Sequence, residues 1–331
     1  MTMAEHDISF EAMGSHVRLL IGEPGPGMPS AGEAGEGARR FVAEFEAALS
    51  RFDPASELSA LNRDRRERVP ASPLLRQAVR AGLWAAERTN GLVDPTLVDE
   101  IERAGYASSR VGAVPAPLRS ALAAAPERRP ATPDPAARWR RFSVDETRGE
   151  IVRPPGLRFD SGGIGKGLAA DLIGASLQDY SRFVVDCGGD IRLGGRDADR
   201  QPRTIAVEHP LSGGRPYVVS LRAGGIATSG LNVRIWRRKD GSFAHHLLDP
   251  ATGKPAWTGL VGVTALGATT LEAETLSKAA LLAGPVRARE LIAARGGLLV
   301  HDSGRVELVG QMAAPPRVRL PRPVAPMAVP A

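Results

Sequence analysis

The sequence is poor in cysteine, and this scarcity excludes several kinds of site. Cys187 is the single cysteine among 331 residues, so the chain can form no internal disulfide and no zinc or iron–sulfur centre built from several cysteines. No run approaches the roughly 18 apolar residues of a membrane-spanning helix. The first ten residues, MTMAEHDISF, lack the basic and apolar regions of a secretory signal. We therefore expect a cytoplasmic protein that does not associate with a membrane.

Lysine is scarce as well, because only four of the 43 basic residues are lysine and the rest are arginine. The formal net charge of +6 is compatible with nucleic-acid binding. However, the arginines are spread along the chain rather than gathered in one basic helix, which favours a solvated basic surface. We therefore expect no nucleic-acid partner. A mild positive charge also suits an acidic small substrate such as a phosphate ester.

The patterns that are present mix helices and strands without regular alternation, which predicts an α+β fold. Helical periodicity predicts helices over 38–50, 73–88, 164–177, 271–283 and 286–294. Short apolar runs between turn residues predict strands at 16–21, 183–186, 191–193, 204–208, 217–221, 225–228, 298–301 and 306–309, and a β-rich stretch over 139–160.

The domain organisation predicted from composition is simple. Residues 1–310 are expected to form one domain, and the Gly-, Pro- and Glu-rich residues 23–37 are expected to form a loop. Residues 107–138, rich in Ala, Pro and Arg, are expected to be a variable excursion with at most one helix, around 116–125. The tail over 311–331 holds six prolines and no periodicity, which predicts an extended or disordered segment.

A glycine-rich segment between Asp160 and Lys166 is the first candidate site. A predicted strand ends at Asp160, three glycines follow, and Lys166 opens a predicted helix. Free N–H groups at a helix N-terminus attract anions, and a lysine there adds a point charge for a phosphate. The spacing matches neither a Walker A loop nor the G-x-G-x-x-G fingerprint. A structural glycine turn and a phosphate cradle are equally good interpretations of these residues alone.

A second segment, Val184–Asp190, predicts a strand that runs into a Gly-Gly turn. On its own it favours a tight turn in which the Asp190 side chain bonds its own backbone. Cys187 has no basic partner nearby in the sequence. We therefore expect it to be a small buried residue rather than a nucleophile.

Two adjacent histidines, His245 and His246, precede the turn segment Asp249–Gly253. Neighbouring side chains in a strand point to opposite faces, so at most one of the two can enter a given cavity. A neutral histidine can take a proton from a hydroxyl group. A lone histidine is more often structural, so both interpretations stay open at this point.

Glu274 and Lys278 lie four residues apart in the strongest predicted helix, on one face. One interpretation is a surface ion pair that contributes about a few tenths of a kcal/mol. However, the surrounding helix is largely apolar, so the pair is equally placed to line a site.

Taken together and in this order, eight segments resemble those of the ApbE-type FAD:protein FMN transferases, a family of flavin transferases. The segments are Ala12-Met-Gly-Ser15 followed by a strand, Phe52-Asp-Pro-x-Ser-Glu-Leu-Ser-x-Leu-Asn62, Gly91-x-x-Asp-Pro-Thr96, Asp160-x-Gly-Gly-Ile-Gly-Lys-Gly, Cys187-Gly-Gly-Asp190, Ala227-Thr-Ser-Gly230, His246-x-x-Asp-Pro-x-Thr-Gly253 and the Ala-acid-x-Leu run over 273–276. The resemblance covers about residues 8–310.

The resemblance implies an α+β fold whose two T-fold-like halves form one compact domain. It implies an enzyme that binds FAD, cleaves its diphosphate and joins FMN through a phosphoester bond to a threonine or serine hydroxyl of a target flavoprotein. In that reaction AMP leaves and Mg²⁺ assists. The expected partners are therefore FAD and an acceptor flavoprotein with a flavinylation site.

The resemblance also assigns roles to residues by their position in the motifs. The residues expected to line the FAD site are Met13, Phe52, Asp94, Pro95, Thr96, Asp160, Lys166 and Leu248. The carbonyl of Gly163 and the carboxylate of Glu274 stand where the family binds its metal. His246 stands at the position of the family's candidate base for the acceptor hydroxyl.

One departure from the family pattern concerns the metal. The family helix carries an aspartate and, four residues later, a threonine, and both ligate the metal, whereas this chain has Glu274 and Lys278. A protonated lysine cannot ligate a metal. Either Mg²⁺ binds in a shifted geometry, or the ammonium of Lys278 takes its place beside Glu274, facing the diphosphate, as a candidate catalytic residue. The second arrangement would leave FAD binding intact but weaken or abolish transfer.

Two other functions follow from the same residues. The first is an FAD-binding protein whose altered metal site no longer supports transfer. The second is an FAD pyrophosphatase, in which water replaces the acceptor hydroxyl and FMN and AMP are released.

Overall fold

A computed structural model describes residues 5–215 and 217–310, which contain seven α-helices and seventeen strands. The helices are α1 Ala31–Leu49, α2 Glu57–Arg63, α3 Pro73–Arg88, α4 Val98–Arg103, α5 Leu118–Ala124, α6 Gly165–Ser176 and α7 Thr270–Ile292. The strands are β1 His6–Ala12, β2 Ser15–Ile21, β3 Arg68–Pro70, β4 Ser143–Asp145, β5 Glu150–Val152, β6 Phe183–Cys187, β7 Ile191–Gly194, β8 Arg203–Val207, β9 Tyr217–Leu221, β10 Gly224–Gly230, β11 Ile235–Arg237, β12 Phe243–His245, β13 Leu248–Asp249, β14 Lys254–Pro255, β15 Leu260–Gly267, β16 Gly297–His301 and β17 Val306–Val309.

Eight strands form one antiparallel sheet in the order β1-β2-β6-β7-β10-β15-β16-β17. Each half of the sheet is built in the same chain order, which is two strands, one helix and two strands. The first half uses α6 as its helix and the second uses α7, and the insertions lie after β2 and after β10. The halves join where β7 pairs with β10, with Ile191 opposite Ile226. The expected α+β fold is confirmed.

The helices cover the sheet and enclose two apolar cores. Helix α6 packs on β6 and β7, α7 packs on β10 and β15, and the two helices pack against each other. In the first core, Leu19 and Val185 are completely buried beneath α1, α3 and α6. In the second core, Ala265 and Leu281 are completely buried between β15 and α7. This helix pair places the first turns of α6 and α7 side by side.

Close contact between the two helices depends on a glycine in α6. A Cβ atom at position 167 would lie only 2.9 Å from the backbone nitrogen of Leu271. Because Gly167 lacks that atom, its N–H group reaches the Glu274 carboxylate at 2.9 Å. The glycine thereby brings the start of α6 to the buried face of α7.

The predicted loop over 23–37 is wrong in its second part, because α1 begins at Ala31. Ser30 caps the helix and forms a reciprocal capping box with Glu33. The three glycines within 31–37 suggest a loop by composition. Gly35 instead lies against the side chain of Ile8, where a Cβ atom would approach to 3.2 Å. Packing against β1 therefore accounts for a glycine inside this helix.

The two helices predicted at 271–283 and 286–294 together make up α7, and a kink at Gly284 separates them. Gly284 adopts a φ of 74°, and Pro285 follows it. A left-handed residue followed by proline interrupts the helical hydrogen bonds, as the sequence pattern indicates. The β-rich stretch predicted over 139–160 holds only two strands of three residues, β4 and β5.

The excursion over 107–138 is anchored to the second half of the molecule. Its single helix, α5, buries Leu118 and Ala121 in the second core. The backbone N–H of Ala131 donates to the carbonyl of Leu282 in α7 at 2.8 Å. The tail predicted over 311–331 lies outside the described residues. Among the helices of the described ranges, none combines the length and apolarity needed to cross a bilayer.

Candidate functional site

A cavity of about 690 Å³ opens between the two insertions, the start of α6 and the middle of α7. Its walls are formed by residues 11, 13–14, 45–46, 49–53, 82, 92–95, 97, 101, 106, 109–115, 160–166, 233–235, 246–248, 278 and 282. This volume is in the range of sites that bind a drug-sized or cofactor-sized molecule. Segments far apart in the sequence thus meet at one concave surface.

Nine of the eleven residues assigned by the resemblance line this cavity, and so does Lys278, the residue that departs from the family pattern. The nine are Met13, Phe52, Asp94, Pro95, Asp160, Gly163, Lys166, His246 and Leu248. The other two, Thr96 and Glu274, are buried immediately behind it.

Met13 reaches the cavity from the tight turn between β1 and β2. Ala12 pairs with Ser15, so Met13 and Gly14 are the two central residues of the hairpin. Both have positive φ, 52° and 64°, which is the conformation of a type I′ turn. Glycine adopts this conformation freely, whereas a methionine at positive φ is strained by about 1 kcal/mol. The hairpin therefore holds Met13 at the cavity in a strained backbone conformation.

Asp160 fixes the entrance to the glycine-rich loop before α6. One carboxylate oxygen accepts the N–H of Gly162 at 2.9 Å, and the other pairs with Nε of Arg51 at 3.2 Å. The backbone N–H of Asp160 donates to the carbonyl of Pro95 at 2.8 Å. These contacts join three of the motif segments at one edge of the cavity.

An aromatic cluster forms the neighbouring wall. Phe52 packs on Tyr106 with ring centroids 5.2 Å apart, and Tyr106 packs on Trp236 at 5.6 Å. The guanidinium of Arg51 lies 4.4 Å from the Phe52 ring centroid. Tyr106 and Trp236 are buried, so Phe52 is the half-buried ring of the cluster. This wall offers a planar ligand an apolar, polarisable surface.

Asp94 supplies a hydrogen-bond acceptor without a partner. Its Oδ1 atom accepts the backbone N–H of Thr96 at 2.8 Å and the Thr96 hydroxyl at 2.6 Å. Its Oδ2 atom is buried and has no hydrogen-bond partner in the described part of the chain. Burial raises the pKa of this carboxyl, although the bonds from Thr96 oppose the shift. An N–H donor of a ligand would satisfy the free oxygen.

Lys166 is already paired within the protein. Its Nζ atom lies 2.5 Å from Oδ2 of Asp190, a residue only 1% exposed. Burial alone would lower the pKa of Lys166, but the charges of Asp190 and Glu274 outweigh it and raise the pKa. The side chain of Asp186, not Asp190, accepts the N–H of Gly189 in the predicted turn. The expectation that Asp190 bonds its own backbone is therefore wrong.

The two histidines take separate roles, as the strand alternation predicts. His246 lines the cavity, and its Nδ1 atom lies 3.3 Å from the carbonyl oxygen of Arg234. A carbonyl only accepts hydrogen bonds, so Nδ1 carries the proton and Nε2 keeps its lone pair. Burial, followed by the charges of Arg234 and Lys278 and by His245, holds the pKa of His246 well below its usual range. This histidine is therefore neutral at pH 7.

His245 points the other way into the protein. It is fully buried, and its ring meets Trp257 edge-on with centroids 4.6 Å apart. Burial lowers its pKa to about 3, so it too is neutral at pH 7. His245 is a core residue, and of the two histidines only its neighbour His246 lines the cavity.

Lys278 lies between the two groups that the resemblance assigns to a metal. Its Nζ atom donates to the carbonyl oxygen of Gly163 at 2.6 Å and lies 3.4 Å from Oε1 of Glu274. The second oxygen of Glu274 accepts the N–H of Gly167 at 2.9 Å. Burial raises the pKa of Glu274, while Lys278 opposes that shift. The ammonium thus bridges the loop before α6 and the buried face of α7.

These residues do not fit a magnesium ion. Mg²⁺ requires near-octahedral oxygen ligands at about 2.0–2.1 Å, whereas a lysine donates hydrogen bonds and ligates nothing while protonated. The two candidate oxygens, of Gly163 and Glu274, are both turned to Lys278. The described part of the chain also holds no group of three or more His, Cys, Asp or Glu suited to a metal.

Two cavity arginines escaped the sequence analysis. Arg234 and Arg110 line the cavity, and neither forms an ion pair with a carboxylate within the described residues. Arg110 lies over the ring of Trp236 at 4.3 Å, and Arg234 lies 6.0 Å from the Tyr106 centroid. Arginine is so common in this sequence that these two carry no distinguishing local pattern. Their guanidinium groups leave the cavity with positive charge for an anionic ligand.

Comparisons with known proteins agree on the family. The sequence model of the ApbE family matches residues 13–300. The chain is 24% identical over 315 residues to the FAD:protein FMN transferase of Haemophilus influenzae, which covers 89% of this chain and 85% of that protein. It is 32% identical over 151 residues to the FAD:protein FMN transferase of Escherichia coli K12. That second match covers 44% of this chain and only 42% of the relative's length.

Solved structures show the same fold. The chain is similar to the ApbE protein from Thermotoga maritima, with a TM-score of 0.75 and 24% identity over 92% of this chain and 97% of that one. It is also similar to the flavin transferase ApbE from Vibrio cholerae, with a TM-score of 0.71 and 22% identity over the same shares. At this level of identity the likeness concerns the fold.

Proposed function

This chain belongs to the ApbE family, and on that premise we propose that it transfers FMN from FAD to a threonine or serine hydroxyl of an acceptor flavoprotein. The observation that carries the proposal is the position of His246. A neutral histidine with a free Nε2 lone pair lines the same cavity as Lys278 and two arginines that pair with no carboxylate of residues 5–215 and 217–310. A base and an anion-binding group are the two requirements of phosphoryl transfer to a hydroxyl.

The cavity suits the diphosphate of FAD electrostatically. The charges of Lys166 and Arg51 are balanced by Asp190 and Asp160. Arg234 and Arg110 form no ion pair with a carboxylate of the described residues, so their guanidinium groups leave positive charge free in the cavity. Guanidinium groups bind phosphate oxygens through two parallel hydrogen bonds. The diphosphate would therefore be held chiefly by arginine.

The two ring systems of FAD find matching surfaces on the walls. The cluster that ends in Phe52 offers a face for stacking. The free Oδ2 of Asp94 offers an acceptor for an amino or imino N–H group, of which both the adenine and the flavin carry examples. These contacts would orient the dinucleotide across the cavity.

In the transfer step, the acceptor hydroxyl oxygen attacks the phosphorus of the FMN half. The new phosphoester bond forms as the bond from that phosphorus to the bridging oxygen breaks. AMP leaves with the bridging oxygen, and the hydroxyl proton passes to Nε2 of His246. The Nδ1–H bond to the carbonyl of Arg234 fixes the ring in the tautomer that this step needs.

The test is a transfer assay with FAD and a peptide or protein bearing the acceptor threonine. We expect covalent flavin on the acceptor, with release of an equal amount of AMP. His246→Ala should slow transfer by about a hundredfold or more, the usual contribution of a general base. FAD affinity should change little, because the histidine acts on the acceptor proton. Fluorescence of the acceptor in a denaturing gel measures transfer, and flavin fluorescence titration measures binding.

His6→Ala is the matched control, because His6 is exposed at the end of β1 far from the turn that carries Met13. Unchanged transfer by His246→Ala would remove the base assignment. Tight FAD binding without covalent flavin or AMP would identify a binding protein instead. Release of FMN and AMP without an acceptor would identify an FAD pyrophosphatase. The cytoplasmic location and the single domain over 1–310 stay predictions of the sequence.

A further inference from the structure

The ammonium of Lys278 stands where a cation would be expected to meet the diphosphate. It is held by a backbone carbonyl from one segment, Gly163, and by a carboxylate from another, Glu274. The side chain is 13% exposed and lines the cavity, so its charge is directed to a ligand rather than to bulk solvent. The carbonyl is its nearest contact and does not cancel its charge.

The carboxylate beside this lysine is organised by more than the lysine. Glu274 is only 3% exposed, and Gly167 donates its N–H to the second carboxylate oxygen at 2.9 Å. The N-terminal turn of α6 also favours a negative charge there. The Glu274 carboxylate is therefore held in a fixed position, and Lys278 is the cation beside it.

We propose that Lys278 serves as a built-in replacement for the divalent metal, so that this protein binds FAD and acts on its diphosphate without Mg²⁺. This inference rests on the proposed function, because it concerns the same cavity and the same ligand. The ammonium donates hydrogen bonds to a phosphate oxygen, and the carbonyl of Gly163 and the carboxylate of Glu274 hold it in place.

The charge balance explains why arginines are also needed. A divalent cation beside one glutamate leaves a net charge of +1, whereas a lysine beside the same glutamate leaves zero. The missing unit of positive charge is available from Arg234, which lines the cavity and forms no ion pair in the described ranges. The lysine therefore supplies position and hydrogen bonds, and the arginine supplies the remaining charge.

The alternative is a magnesium ion in a shifted place, between Glu274 and the FAD phosphates. That arrangement requires the ammonium of Lys278 to leave Gly163, since a monovalent and a divalent cation repel each other at one carboxylate. The two arrangements differ in a measurable way. If Lys278 replaces the metal, a divalent ion would have to displace the lysine and is not needed for FAD binding. If magnesium binds in the shifted place, FAD binding requires it.

The binding test compares FAD titrations in EDTA and in MgCl₂, for the wild-type protein and three variants. Wild-type affinity should agree within about twofold between the two buffers. Lys278→Met keeps the length of the side chain without its charge and should weaken binding about tenfold or more in EDTA, as expected for a lost charge-assisted hydrogen bond. Lys278→Thr offers a hydroxyl ligand beside Glu274 and should bind FAD more tightly with Mg²⁺ than without it. Lys239→Met, at an exposed turn residue, is the matched control and should behave as wild type.

A second measurement uses the metal alone. Mn²⁺, followed by electron paramagnetic resonance, should remain free with the wild-type protein and become bound with Lys278→Thr. Thermal unfolding of each variant confirms that it is folded. Wild-type FAD binding that EDTA abolishes and Mg²⁺ restores would overturn the inference, as would Mn²⁺ bound by the wild-type protein in competition with Mg²⁺.

The outcomes for transfer are separate from these. Metal-independent FAD binding with no covalent flavin on any acceptor would contradict the proposed function and support the role of Lys278. Transfer that occurs only with Mg²⁺ would support the proposed function and contradict the role of Lys278. Should FAD fail to bind at all, the proposed function fails, and the Mn²⁺ experiment still decides whether the lysine excludes a metal.

Discussion

Two lysines reach the cavity beside buried carboxylates, but they differ in their nearest contact. For Lys166 the nearest atom is a carboxylate oxygen of Asp190 at 2.5 Å, and the carbonyl of Gly188 is farther away at 3.3 Å. For Lys278 the order is reversed, since a carbonyl lies at 2.6 Å and the Glu274 carboxylate at 3.4 Å. The ammonium of Lys166 is therefore paired with the carboxylate of Asp190, whereas the ammonium of Lys278 is held chiefly by the carbonyl of Gly163.

This difference separates a structural cation from one that is available to a ligand. The pair of Lys166 and Asp190 ties the start of α6 to the turn between β6 and β7. Lys278 shares its carboxylate with the N–H of Gly167, so the negative charge of Glu274 is divided between two donors. Lys166, the lysine of the glycine-rich segment that suggests a phosphate cradle in the sequence, is thus already paired with Asp190. Lys278 of α7 is the lysine that stays available to a phosphate, beside the guanidinium groups of Arg234 and Arg110.

The largest expected effect comes from breaking the structural pair. Lys166→Met leaves Asp190 charged, 1% exposed and without its cation, which should lower the free energy of unfolding by about 3 kcal/mol. Lys278→Met should cost less, because Glu274 keeps the N–H of Gly167 and burial already raises its pKa toward the neutral form. Urea unfolding followed by circular dichroism measures both.

The control for this prediction is the double variant Lys166→Met with Asp190→Asn, which removes the isolated charge and should recover most of the lost stability. Equal losses for the two lysine variants would contradict the distinction drawn between them.

Local signals in the sequence predict the outer helices well. The limits of α3, Pro73–Arg88, coincide with the predicted helix over 73–88, because Ser72 caps it and proline occupies its first position. The same logic was available for α1, whose capping box of Ser30 and Glu33 is readable in the sequence. For α1 the glycines in the sequence favour a loop over this capping signal. The packing of Gly35 against β1 is a tertiary contact that composition does not reveal.

The central strand β15 was missed for a different reason. Its sequence, LVGVTALG, is buried on almost every residue because the strand lies between β10 and β16 with α7 above it. A strand buried on both faces has no alternation of apolar and polar residues, and Gly262 and Thr264 interrupt its apolar run. Its partner strands are also distant in the sequence, so pairing gives no local signal.

In the candidate site too, local sequence motifs are predictable and tertiary contacts are not. The motif segments indicate nine cavity residues, because their order and spacing resemble a family. The contact that distinguishes this chain joins Lys278 to Gly163 across 115 positions, and no local pattern encodes it. Arg234 was missed because one arginine among many has no signature before the fold brings it to the cavity.

Removing an unpaired cation should have an intermediate effect, on binding rather than on stability. Arg234→Met should weaken FAD binding about tenfold, since a charge-assisted hydrogen bond to phosphate contributes roughly 1.5–3 kcal/mol. The free energy of unfolding should change little, because this guanidinium makes no hydrogen bond or ion pair within the described residues. Fluorescence titration and urea unfolding measure the two quantities. Arg238→Met, at an exposed neighbour in the same segment, is the control, and a similar loss of affinity there would point to general charge rather than to Arg234.

The smallest effect should appear in the titration of His246, and it distinguishes the two lysines without any activity assay. The charge of Lys278 is among the largest causes that lower the pKa of His246, and that of Lys166 is not among these largest causes. A positive neighbour disfavours the imidazolium form, so removing it in Lys278→Met should move the pKa of His246 upward. The acid limit of kcat/KM, which requires the neutral ring, should rise with it, while in Lys166→Met both should stay where they are in the wild-type protein. Ring resonances in a histidine-labelled NMR sample follow the titration directly. A pKa that moves equally in the two variants would show that both ammonium charges reach the base, and the division between a structural and an available lysine would then be lost.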